Sequence, residues 1–397
     1  MKILVLNSGS SSIKFQLFNM EDESVIAKGS VTRIGNKDSR LKYKTEQEKI
    51  EEILKIADHS QGLQLIKEYL MGEEMGVIKE VSEIAAIGHR VVHGGEKYFE
   101  SILIDEEAEE NIEKLSELAP LHNPHNLKGI KECKTLIPDT PQTAVFDTGF
   151  HQTMPAKAYL YALPYELYQE DGVRRYGFHG TSHKFVAQRA AEIMKKDIKD
   201  LKIITCHLGN GASMAAIKGG KSVDTSMGLT PLEGLVMGTR SGDTDPSIIP
   251  FIMKRKDISA EDVENMLNKK SGLLGLSGIS NDFREINQAA QDGNKQAENA
   301  QKVFYYRIQK YIGAYMVAMG GLDAIIFTGG IGENEGDARK GIVEALDFMG
   351  IKLDQEANQI KSEEKEISTV DSKVKVFVIP TNEELVIARA TKELIAE

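Results

Sequence analysis

The sequence predicts an α/β protein, because strand-like and helix-like patterns alternate along its 397 residues. At the start, the apolar run Ile3–Leu6 and the alternating stretch Ile13–Leu17 predict two strands. The run Lys202–Cys206 predicts a similar strand in the second half of the chain. Gly9 and Gly209 occupy equivalent places after these strands, but the two segments share almost no residues and indicate an internal repeat only weakly.

The remaining elements follow from the spacing of apolar residues. Further strands are predicted at Ile84–Val92, Thr143–Phe146, Ser213–Ile217, Ala324–Thr328 and Val374–Ile379. Helical spacing occurs in Gln47–Asp58, Glu106–Leu118 and Ala297–Met319, and a further helix is expected from Glu335. At the carboxyl end, the capping-box pattern Thr381-Asn-Glu-Glu384 predicts the start of a last helix.

The composition argues against several classes of function. The chain carries 49 Lys and Arg residues against 60 Asp and Glu residues, a net charge of −11, so neither nucleic acid nor an anionic membrane is an expected partner. The two cysteines, Cys133 and Cys206, are too few for a disulfide framework and indicate a reducing compartment. The apolar stretches are too short or too interrupted for a signal sequence or a membrane span. We therefore expect a cytoplasmic protein.

Three loops rich in small residues are candidates for phosphate binding, because each follows a predicted strand and lets backbone N–H groups approach an anion. They are Asn7–Ser12, His207–Gly211 and Thr328–Asn334. Neither common nucleotide motif explains them. Gly220-Lys-Ser222 lacks the first glycine of a Walker A loop, and Gly330-Ile-Gly332 is followed by a glycine one residue too late for a dinucleotide fingerprint.

Two basic residues in strand patterns suit anion binding. Lys14 follows the first loop and either neutralises a phosphate or is simply solvated. Arg90 and Val92 share one face of a predicted strand, an arrangement that would hold a small carboxylate by its oxygens and its alkyl tail. A surface salt bridge is the simpler alternative for Arg90.

Two further candidates have equally simple alternatives. Arg240 lies in a loop rich in glycine and acids, where it either stabilises phosphoryl charge or pairs with Asp243 or Asp245. His179 either donates to a phosphate oxygen, as a neutral or a cationic ring, or caps a helix that starts near Thr181.

Two acids complete the candidates. Asp147 follows a predicted strand, and ligands of α/β proteins bind at the carboxyl ends of strands. In the predicted capping box, Glu384 reaches back to Thr381, which leaves Glu383 as a free carboxylate able to hold Mg²⁺.

Taken in order, these segments resemble the acetate kinase family over essentially the whole chain. The matching segments are Asn7–Lys14, Gly88–Gly95, Phe146–Gly149, Gly177–His183, His207–Gly211, Gly238–Pro246, Asp282–Arg284, Gly329–Asn334 and Thr381–Glu384. The family belongs to the acetate and sugar kinase/heat-shock ATPase/actin superfamily. The resemblance implies two duplicated actin-like ATPase (ribonuclease H-like) domains with the nucleotide in the cleft between them. We expect residues 1–149 with 382–397 to form the acyl and phosphate side, and residues 150–381 to form the nucleotide-binding domain.

The resemblance also implies roles for individual residues. Asp147, His179, Arg240 and Arg90 match the catalytic residues, and Asn7 and Glu383 match the ligands of Mg²⁺, for which Mn²⁺ is a possible substitute. The substrate carboxylate and its acyl group correspond to Arg90, Val92, Leu121, Phe178 and Pro231. The contacts to ATP or ADP correspond to Ser12, Lys14, His207, Leu208, Gly209, Asn210, Gly211, Asp282, Phe283, Arg284, Gly330, Ile331, Gly332, Glu333 and Asn334.

The implied reaction is reversible transfer of the ATP γ-phosphoryl group to acetate, which yields acetyl phosphate and ADP. A carboxylate acceptor with a pKa near ~4–5 is already ionised at neutral pH and needs no general base. Asp147 is therefore expected to position an arginine or a metal-bound water, and transfer is expected to be direct and in line. The alternatives are a propionate or butyrate kinase of the same family, or a nucleotide-gated actin-like binding protein. A homodimer is expected from the family.

Overall fold

Two β-sheets form the framework of the chain, and a computed structural model describes residues 1–120 and 122–396. The strands of the first sheet are β1 (Lys2–Gly9), β2 (Ser12–Asn19), β3 (Ser24–Thr32), β4 (Ser39–Thr45), β5 (Lys49–Leu54), β6 (Ile84–Val91), β7 (Ile102–Leu103) and β8 (Gln142–Phe146). The strands of the second are β9 (Lys202–Leu208), β10 (Ala212–Lys218), β11 (Lys221–Thr225), β12 (Ala324–Thr328), β13 (Lys365–Glu366) and β14 (Lys375–Val378).

The helices interleave with these strands. They are α1 (His59–Met71), α2 (Glu106–Lys114), α3 (Asn123–Leu136), α4 (Ala156–Tyr159), α5 (Tyr165–Asp171), α6 (Gly180–Met194), α7 (Ile248–Lys256), α8 (Ala260–Lys269), α9 (Gly272–Ser277), α10 (Phe283–Gln291), α11 (Lys295–Met319), α12 (Gly329–Asn334), α13 (Gly336–Val343) and α14 (Glu383–Ala396). Short 3₁₀ turns lie at Val81–Glu83, Leu115–Glu117, Gly149–Thr153, Ile198–Asp200, Glu344–Met349 and Ala357–Gln359. In the part of the chain that the structure describes, no helix is long and apolar enough to cross a membrane.

The first compact unit comprises Met1–Phe150 and Asn382–Glu397. Its sheet has the order β5-β4-β3-β2-β1-β6-β8-β7. The buried side chains of Ile13 and Phe15 on β2 belong to a core that also includes Leu63 and Ile66 of α1. Helix α14 packs against β1, β6 and β8. The sheet is therefore covered by helices from two separate parts of the sequence.

The second compact unit comprises His151–Thr381, and its sheet has the order β11-β10-β9-β12-β14-β13. Here α6 packs on β9 and β12, while the long helix α11 packs on β10. The buried residues Ile203, Phe304 and Phe327 come from β9, α11 and β12. This core therefore links the first, second and fourth strands of the unit through its longest helix.

The central strands of the two sheets follow the same topology. In the first, β1 pairs antiparallel with β2 and parallel with β6, and β6 pairs parallel with β8. In the second, β9 pairs antiparallel with β10 and parallel with β12, and β12 pairs parallel with β14. This shared topology confirms the predicted α/β class with duplicated folds, which sequence similarity alone indicated only weakly.

Most predicted elements are confirmed, but the helix predicted at Gln47–Asp58 is wrong. Residues 49–54 instead form β5, which pairs antiparallel with β4 so that Tyr43 lies opposite Ile50. Ile50, Ile53 and Leu54 have helical spacing, but in β5 Ile50 and Leu54 lie on the half-buried face whereas Ile53 is 65% exposed. The apolar spacing therefore indicated the wrong period. These residues form a strand because the edge of β4 is available for pairing.

Gly88 on β6 sits where α14 approaches most closely. A Cβ atom at Gly88 would lie 2.5 Å from Thr391 Oγ1 and 2.7 Å from Ile387 Cγ2. We predict that Gly88→Ala lowers the free energy of unfolding by about 1–3 kcal/mol, because the helix must shift away from the strand. Urea denaturation measures this change. Gly313→Ala is the matched control, since no heavy atom lies within 4 Å of its added Cβ; equal stability of the two variants would contradict the prediction.

Candidate active site

The carboxyl ends of three parallel strands bring the candidate residues of the first unit together. Leu6 pairs with His89 and Val91 pairs with Phe146, so the residues that follow β1, β6 and β8 meet at one edge of the sheet. Asn7 lies within β1, directly after Leu6. Arg90 lies within β6, and Asp147 follows β8 and donates its N–H to the carbonyl oxygen of Val91 over 3.0 Å. The sequence placed Asp147 after a strand, and the structure brings Asn7 and Arg90 to the same edge.

Arg90 and Asp147 form a buried ion pair with two hydrogen bonds. Arg90 Nε lies 3.0 Å from Asp147 Oδ1, and Arg90 Nη2 lies 2.5 Å from Asp147 Oδ2. The side chains of Arg90 and Asp147 are only 19% and 1% exposed. The surface salt bridge considered from the sequence is thus replaced by a buried pair at the end of the sheet.

The electrostatics of this pair involve the start of α14. Burial raises the pKa of Asp147 to about 6, an effect that Arg90 opposes and the carboxylate of Glu383 reinforces. Burial acts to lower the pKa of Arg90, but Asp147, Glu383 and Glu384 outweigh it, so that the pKa is raised overall. Arg90 therefore stays cationic among three carboxylates.

The predicted capping box at Thr381 is wrong by one residue. Helix α14 begins at Glu383, and Asn382 Oδ1 accepts a hydrogen bond of 3.1 Å from the N–H of Leu385. Asn382 is therefore the cap, since its side chain competes better than that of Thr381 for the first free N–H groups. Glu383 is still left at the start of the helix, now in the first helical position.

Two buried asparagines of α3 hold the loop after β6, and the sequence analysis missed them. Asn126 Oδ1 accepts from the N–H of Val92 over 3.1 Å, while Asn126 Nδ2 donates to the carbonyl of Ser8 over 2.7 Å. Asn123 exchanges two hydrogen bonds of 3.0 Å with the backbone of His93. In the sequence, the only sign of these two asparagines is that Asn123-Pro124 is typical of the start of a helix. Val92, whose N–H Asn126 holds, is 6% exposed, whereas Leu121 lies outside the described residues.

The first glycine-rich loop is shorter than predicted. Asn7, Ser8 and Gly9 belong to β1 and pair with Lys14, Ile13 and Ser12 of β2, which leaves a two-residue turn. The hairpin forms because these small residues continue the antiparallel ladder up to a tight turn. Lys14 is exposed, whereas Ile13 and Phe15 are buried. The predicted alternation of β2 is therefore confirmed.

In the second unit the other two loops also contain more regular structure than predicted. His207 and Leu208 belong to β9, which leaves Gly209–Gly211 as the turn. Residues 329–334 form the short helix α12, which starts at Gly329 with a φ of +76°. A Cβ at Gly329 would lie 2.8 Å from the carbonyl oxygen of Leu208. Glycine is required there both by φ and by the close approach of β9.

Several predicted nucleotide contacts serve structural roles as well. Glu333 Oε1 accepts from the N–H groups of Gly329 over 2.9 Å and Thr381 over 3.2 Å. Asn334 Nδ2 donates to the carbonyl of Gly330 over 2.9 Å, which closes α12 on itself. The remaining predicted residues of this helix are Ile331 and Gly332, both buried. The backbone of α12 is thus fixed before any ligand binds.

Asp282, Phe283 and Arg284 start helix α10. Asp282 caps it by accepting from the N–H of Arg284 over 2.9 Å and also binds the guanidinium of Arg284. Arg284 is 77% exposed, whereas Phe283 is buried. Asn281, the preceding residue, donates to Asn210 Oδ1 over 2.9 Å. This bond ties the start of α10 to the Gly209–Gly211 turn.

His179, His207 and Arg240 meet beside this turn. The rings of His179 and His207 stack with centroids 4.3 Å apart. A Cβ at Gly211 would lie 3.6 Å from both Arg240 Nη1 and His179 Cε1. Residues that are distant in the sequence thus surround one glycine, as expected for a site that binds an anion.

The helix after His179 begins at Gly180, one residue earlier than expected. His179 occupies the cap position with a φ of +55°, but its side chain makes no capping bond. Its Nδ1 instead lies 2.8 Å from Ser213 Oγ. The alternative of a capping histidine is therefore wrong. Phe178, just before it, is 3% exposed.

Arg240 does not pair with either acid suggested by the sequence. Arg240 Nη1 donates to the carbonyl of Pro231 over 3.2 Å. Asp243 instead accepts from the N–H of Gly234 over 2.8 Å and from Tyr311 over 2.9 Å. Among the described residues, Arg240 has no carboxylate within salt-bridge distance, and burial lowers its pKa. A partly buried guanidinium of this kind favours an anionic ligand.

Comparison with known proteins identifies the family. The profile of the "Acetokinase family" matches residues 2–389. The chain belongs to this family. It is 62% identical to an acetate kinase of Halothermothrix orenii over 398 aligned residues, with all of both chains covered. It is 56% identical to an acetate kinase of Natranaerobius thermophilus, again over all of both chains.

Solved structures of the family superpose on this chain over nearly its whole length. A Porphyromonas gingivalis acetate kinase has a TM-score of 0.95 at 47% identity, and a Francisella tularensis propionate kinase has 0.93 at 44%, each with 99% of both chains covered. Membership makes the chain a kinase, a phosphotransferase whose acceptor is a carboxylate. It excludes the actin-like binding protein that the sequence analysis kept as an alternative.

Buried histidines make the stability of this acetokinase sensitive to acid. Burial lowers the pKa of His89 and of His151 to about 4, and lowers that of His183 well below its usual value. The unfolded chain binds protons near pH ~6.5, where the folded chain does not. The free energy of unfolding should therefore fall as the pH is lowered from about 6.5 toward about 4.

Urea denaturation at about pH 7 and about pH 5 tests this dependence. The raised pKa of Asp147 acts in the opposite direction, and so the informative comparison is between the wild type and His89→Gln. We expect the variant to lose less stability on acidification, by up to about 1.4 kcal/mol for each pKa unit removed. An identical pH dependence in both proteins would contradict the prediction.

Proposed function

We propose that this member of the acetokinase family transfers the γ-phosphoryl group of ATP to acetate, in a reversible reaction that gives acetyl phosphate and ADP. The observation that carries the proposal is Arg90, a largely buried cation that is held by Asp147 and lies two residues before the buried, apolar Val92. A guanidinium beside an apolar surface suits a short-chain carboxylate better than it suits a sugar or a peptide.

The acceptor would bind the outer edge of the Arg90 guanidinium. Asp147 already accepts hydrogen bonds from Nε and Nη2. The donors proposed for the acceptor carboxylate are therefore Nη1 and the second hydrogen of Nη2. These point in parallel and suit the two oxygens of a carboxylate. Val92 would contact the acyl group, and we assign Phe178 and Pro231 to the same acyl-binding role.

Asp147 positions Arg90 and does not remove a proton. Both of its oxygens accept from the guanidinium, and the acceptor is already an anion at neutral pH. The barrier is the repulsion between that anion and the phosphates. Arg90, Arg240, His179 and Lys14 would offset it by binding the oxygens in an in-line arrangement, and transfer needs no phosphoenzyme.

The metal is proposed to be Mg²⁺, held by Asn7 and Glu383. An amide oxygen and a carboxylate are the hard ligands that Mg²⁺ prefers, and Mg²⁺ usually completes its shell with water and phosphate oxygens. Among residues 1–120 and 122–396, no group of three or more His, Cys, Asp or Glu side chains is arranged to hold a metal. Two protein ligands plus a nucleotide fit this arrangement. Bound there, the ion would neutralise charge on the phosphates.

We assign nucleotide binding to the second unit, and Ser12 and Lys14 stay predicted contacts to the nucleotide. In the second unit the nucleotide-binding groups are the Gly209–Gly211 turn with His207 and Leu208 before it, the start of α10, and helix α12. Each presents backbone N–H groups at the end of a strand or the start of a helix, where an anion is favoured. ATP is the proposed donor.

Acetate is proposed as the preferred acceptor, with propionate as a slower one. The relatives named acetate kinase are 55–62% identical to the chain, whereas the propionate kinase of Francisella tularensis is 44% identical. One extra methylene changes transition-state binding by only ~1–3 kcal/mol. We therefore expect kcat/KM to fall in the order acetate, propionate, butyrate.

Formation of acetyl hydroxamate from ATP, acetate and hydroxylamine tests the function. We predict that Arg90→Gln lowers kcat/KM for acetate by roughly 100-fold, because a charge-assisted contact of about 1.5–3 kcal/mol is lost along with the position of Asp147. Chelation of the metal should abolish the activity of the wild type.

Arg33→Gln is the control, since the side chain of Arg33 forms an exposed ion pair with Asp38. An unchanged KM for acetate in folded Arg90→Gln would contradict the proposed role of Arg90. Absence of hydroxamate in the wild type with all three acids would contradict the proposed function.

A homodimer is also proposed, on the basis of α7. This helix has the sequence IIPFIMKRK, and none of its residues is buried. Ile248, Ile249 and Phe251 are 40%, 36% and 67% exposed. An apolar helix left in solvent marks an interaction surface, and we assign it to a second copy of the chain.

Light scattering of the purified protein tests this assignment. The wild type should have twice the chain mass of 43.9 kDa, and Phe251→Glu should shift it toward the monomer because a charge would be buried in the interface. Val370→Glu is the control, since Val370 is 99% exposed and lies outside α7. A wild-type monomer, or a Phe251→Glu dimer as tight as the control, would contradict the assignment.

We propose a cytoplasmic location for the chain. Cys133 and Cys206 are free and buried, and burial raises the pKa of the Cys133 thiol to about 12 and that of Cys206 further. Buried thiols of this kind suit a reducing compartment.

A further inference from the structure

A chain of hydrogen bonds through side chains leads to the ring of His179. Thr205 Oγ1 lies 2.7 Å from His183 Nδ1, and His183 Nε2 lies 2.7 Å from Ser213 Oγ. Ser213 Oγ in turn lies 2.8 Å from His179 Nδ1. The chain therefore alternates hydroxyl and imidazole groups over four residues.

The fold holds the side chains of this hydrogen-bond chain in fixed positions. Thr205 lies on β9, Ser213 on β10 and His183 on α6, which packs against both strands. All three side chains are fully buried. Burial of a polar group costs free energy unless the group forms a hydrogen bond. Here each hydroxyl or ring is hydrogen-bonded to the next one.

Each member of the chain has a limited number of hydrogens, which couples the tautomers of the two rings. Ser213 carries one hydroxyl hydrogen, so if it donates to His179 Nδ1 it must accept from His183 Nε2–H. His183 Nδ1 is then an acceptor, and Thr205 donates to it. The opposite direction requires His179 to carry a hydrogen on Nδ1. The chain of hydrogen bonds therefore allows two directions of donation at Ser213. Each direction fixes whether Nδ1 of His179 carries a hydrogen.

The surroundings of His179 favour a neutral ring. Arg240 Nη1 and His179 lie beside the same glycine, Gly211, and the ring of His207 stacks on His179. A second cation next to Arg240 would be repelled, so His179 is favoured as a neutral ring. Burial also keeps the pKa of His183 well below its usual value, so that ring is neutral as well.

We propose that Thr205, His183 and Ser213 are positioning residues that hold His179 as a neutral ring with its hydrogen on Nε2, where it donates to the transferring phosphoryl group. This rests on the proposed function for the identity of that group. The sequence analysis left the neutral and cationic forms of His179 open. Repulsion from Arg240 favours the neutral form, and donation from Ser213 to Nδ1 would then leave the hydrogen on Nε2.

Nitrogen-15 NMR of histidine-labelled wild-type protein tests the tautomer directly and does not depend on activity. We expect the His179 signals, assigned by their loss in His179→Asn, to show a bare Nδ1 and a protonated Nε2 near neutral pH. Hydrogen on Nδ1, or on both nitrogens, would overturn the proposal. Lack of phosphoryl transfer to acetate would overturn only the proposed function.

Kinetics of a matched pair of variants test the role of the chain. Thr205→Val keeps the shape of the side chain and removes its hydroxyl, whereas Thr205→Ser keeps the hydroxyl. We expect Thr205→Val to lower kcat by about tenfold with KM values for acetate and ATP changed less than about twofold, because direct loss of one donor costs ~10²–10³ in kcat and this loss is indirect. Thr205→Ser should restore most of kcat.

Thr225→Val is the control for the substitution itself. Thr225 is equally buried on β11, but its hydroxyl donates to the carbonyl of Met214 over 2.9 Å and is not bonded to a histidine. Equal kcat values in Thr205→Val and Thr225→Val, with an unaltered His179 tautomer, would overturn the proposal.

The pH dependence of kcat separates the two forms of His179. A neutral donor predicts that kcat does not fall as the pH is raised through about 6.5, where histidines lose their proton. The charged and titratable groups around the ring are His207, His183 and Arg240. A decline of kcat over that range that moves in Thr205→Val would indicate a cationic His179 and contradict the proposal.

Discussion

The buried pair of Arg90 and Asp147 is the interaction on which the first unit depends. It stands at the carboxyl edge of the sheet, where three parallel strands and the start of α14 converge. Two hydrogen bonds fix the guanidinium, and loss of one partner would leave a buried charge that costs about 3–5 kcal/mol. The same geometry leaves the outer edge of the guanidinium available to a second carboxylate. The ion pair therefore uses only one edge of the Arg90 side chain.

The candidate residues of the second unit are mostly neutral groups. Its glycine turn and helix α12 follow the ends of β9 and β12, while Arg240 has no carboxylate within salt-bridge distance among the described residues. The histidines behind this surface are bonded to hydroxyls of β9 and β10. Burial lowers the pKa of His183 well below its usual value, so this ring adds no charge near neutral pH.

Sequence patterns were most informative where the chain repeats a simple period. The buried strands β1, β2, β9 and β12 and the long helix α11 all appear where apolar spacing placed them. The patterns failed where tertiary pairing overrode the apolar spacing, as in β5, or where small residues were taken for loops, as in α12. A glycine run favours a turn over a helix, so α12 could not be expected from its local sequence.

The sequence by itself determined the α/β class, the strand ends that carry the site and the identity of the candidate residues. The family resemblance supplied their roles and was confirmed at the level of the family. Only the tertiary structure decided the partners: Asp147 for Arg90, Pro231 for Arg240, and Ser213 for His179. The reason is physical, because periodicity reports which face of an element is buried, whereas a hydrogen-bond partner depends on how distant segments meet in three dimensions.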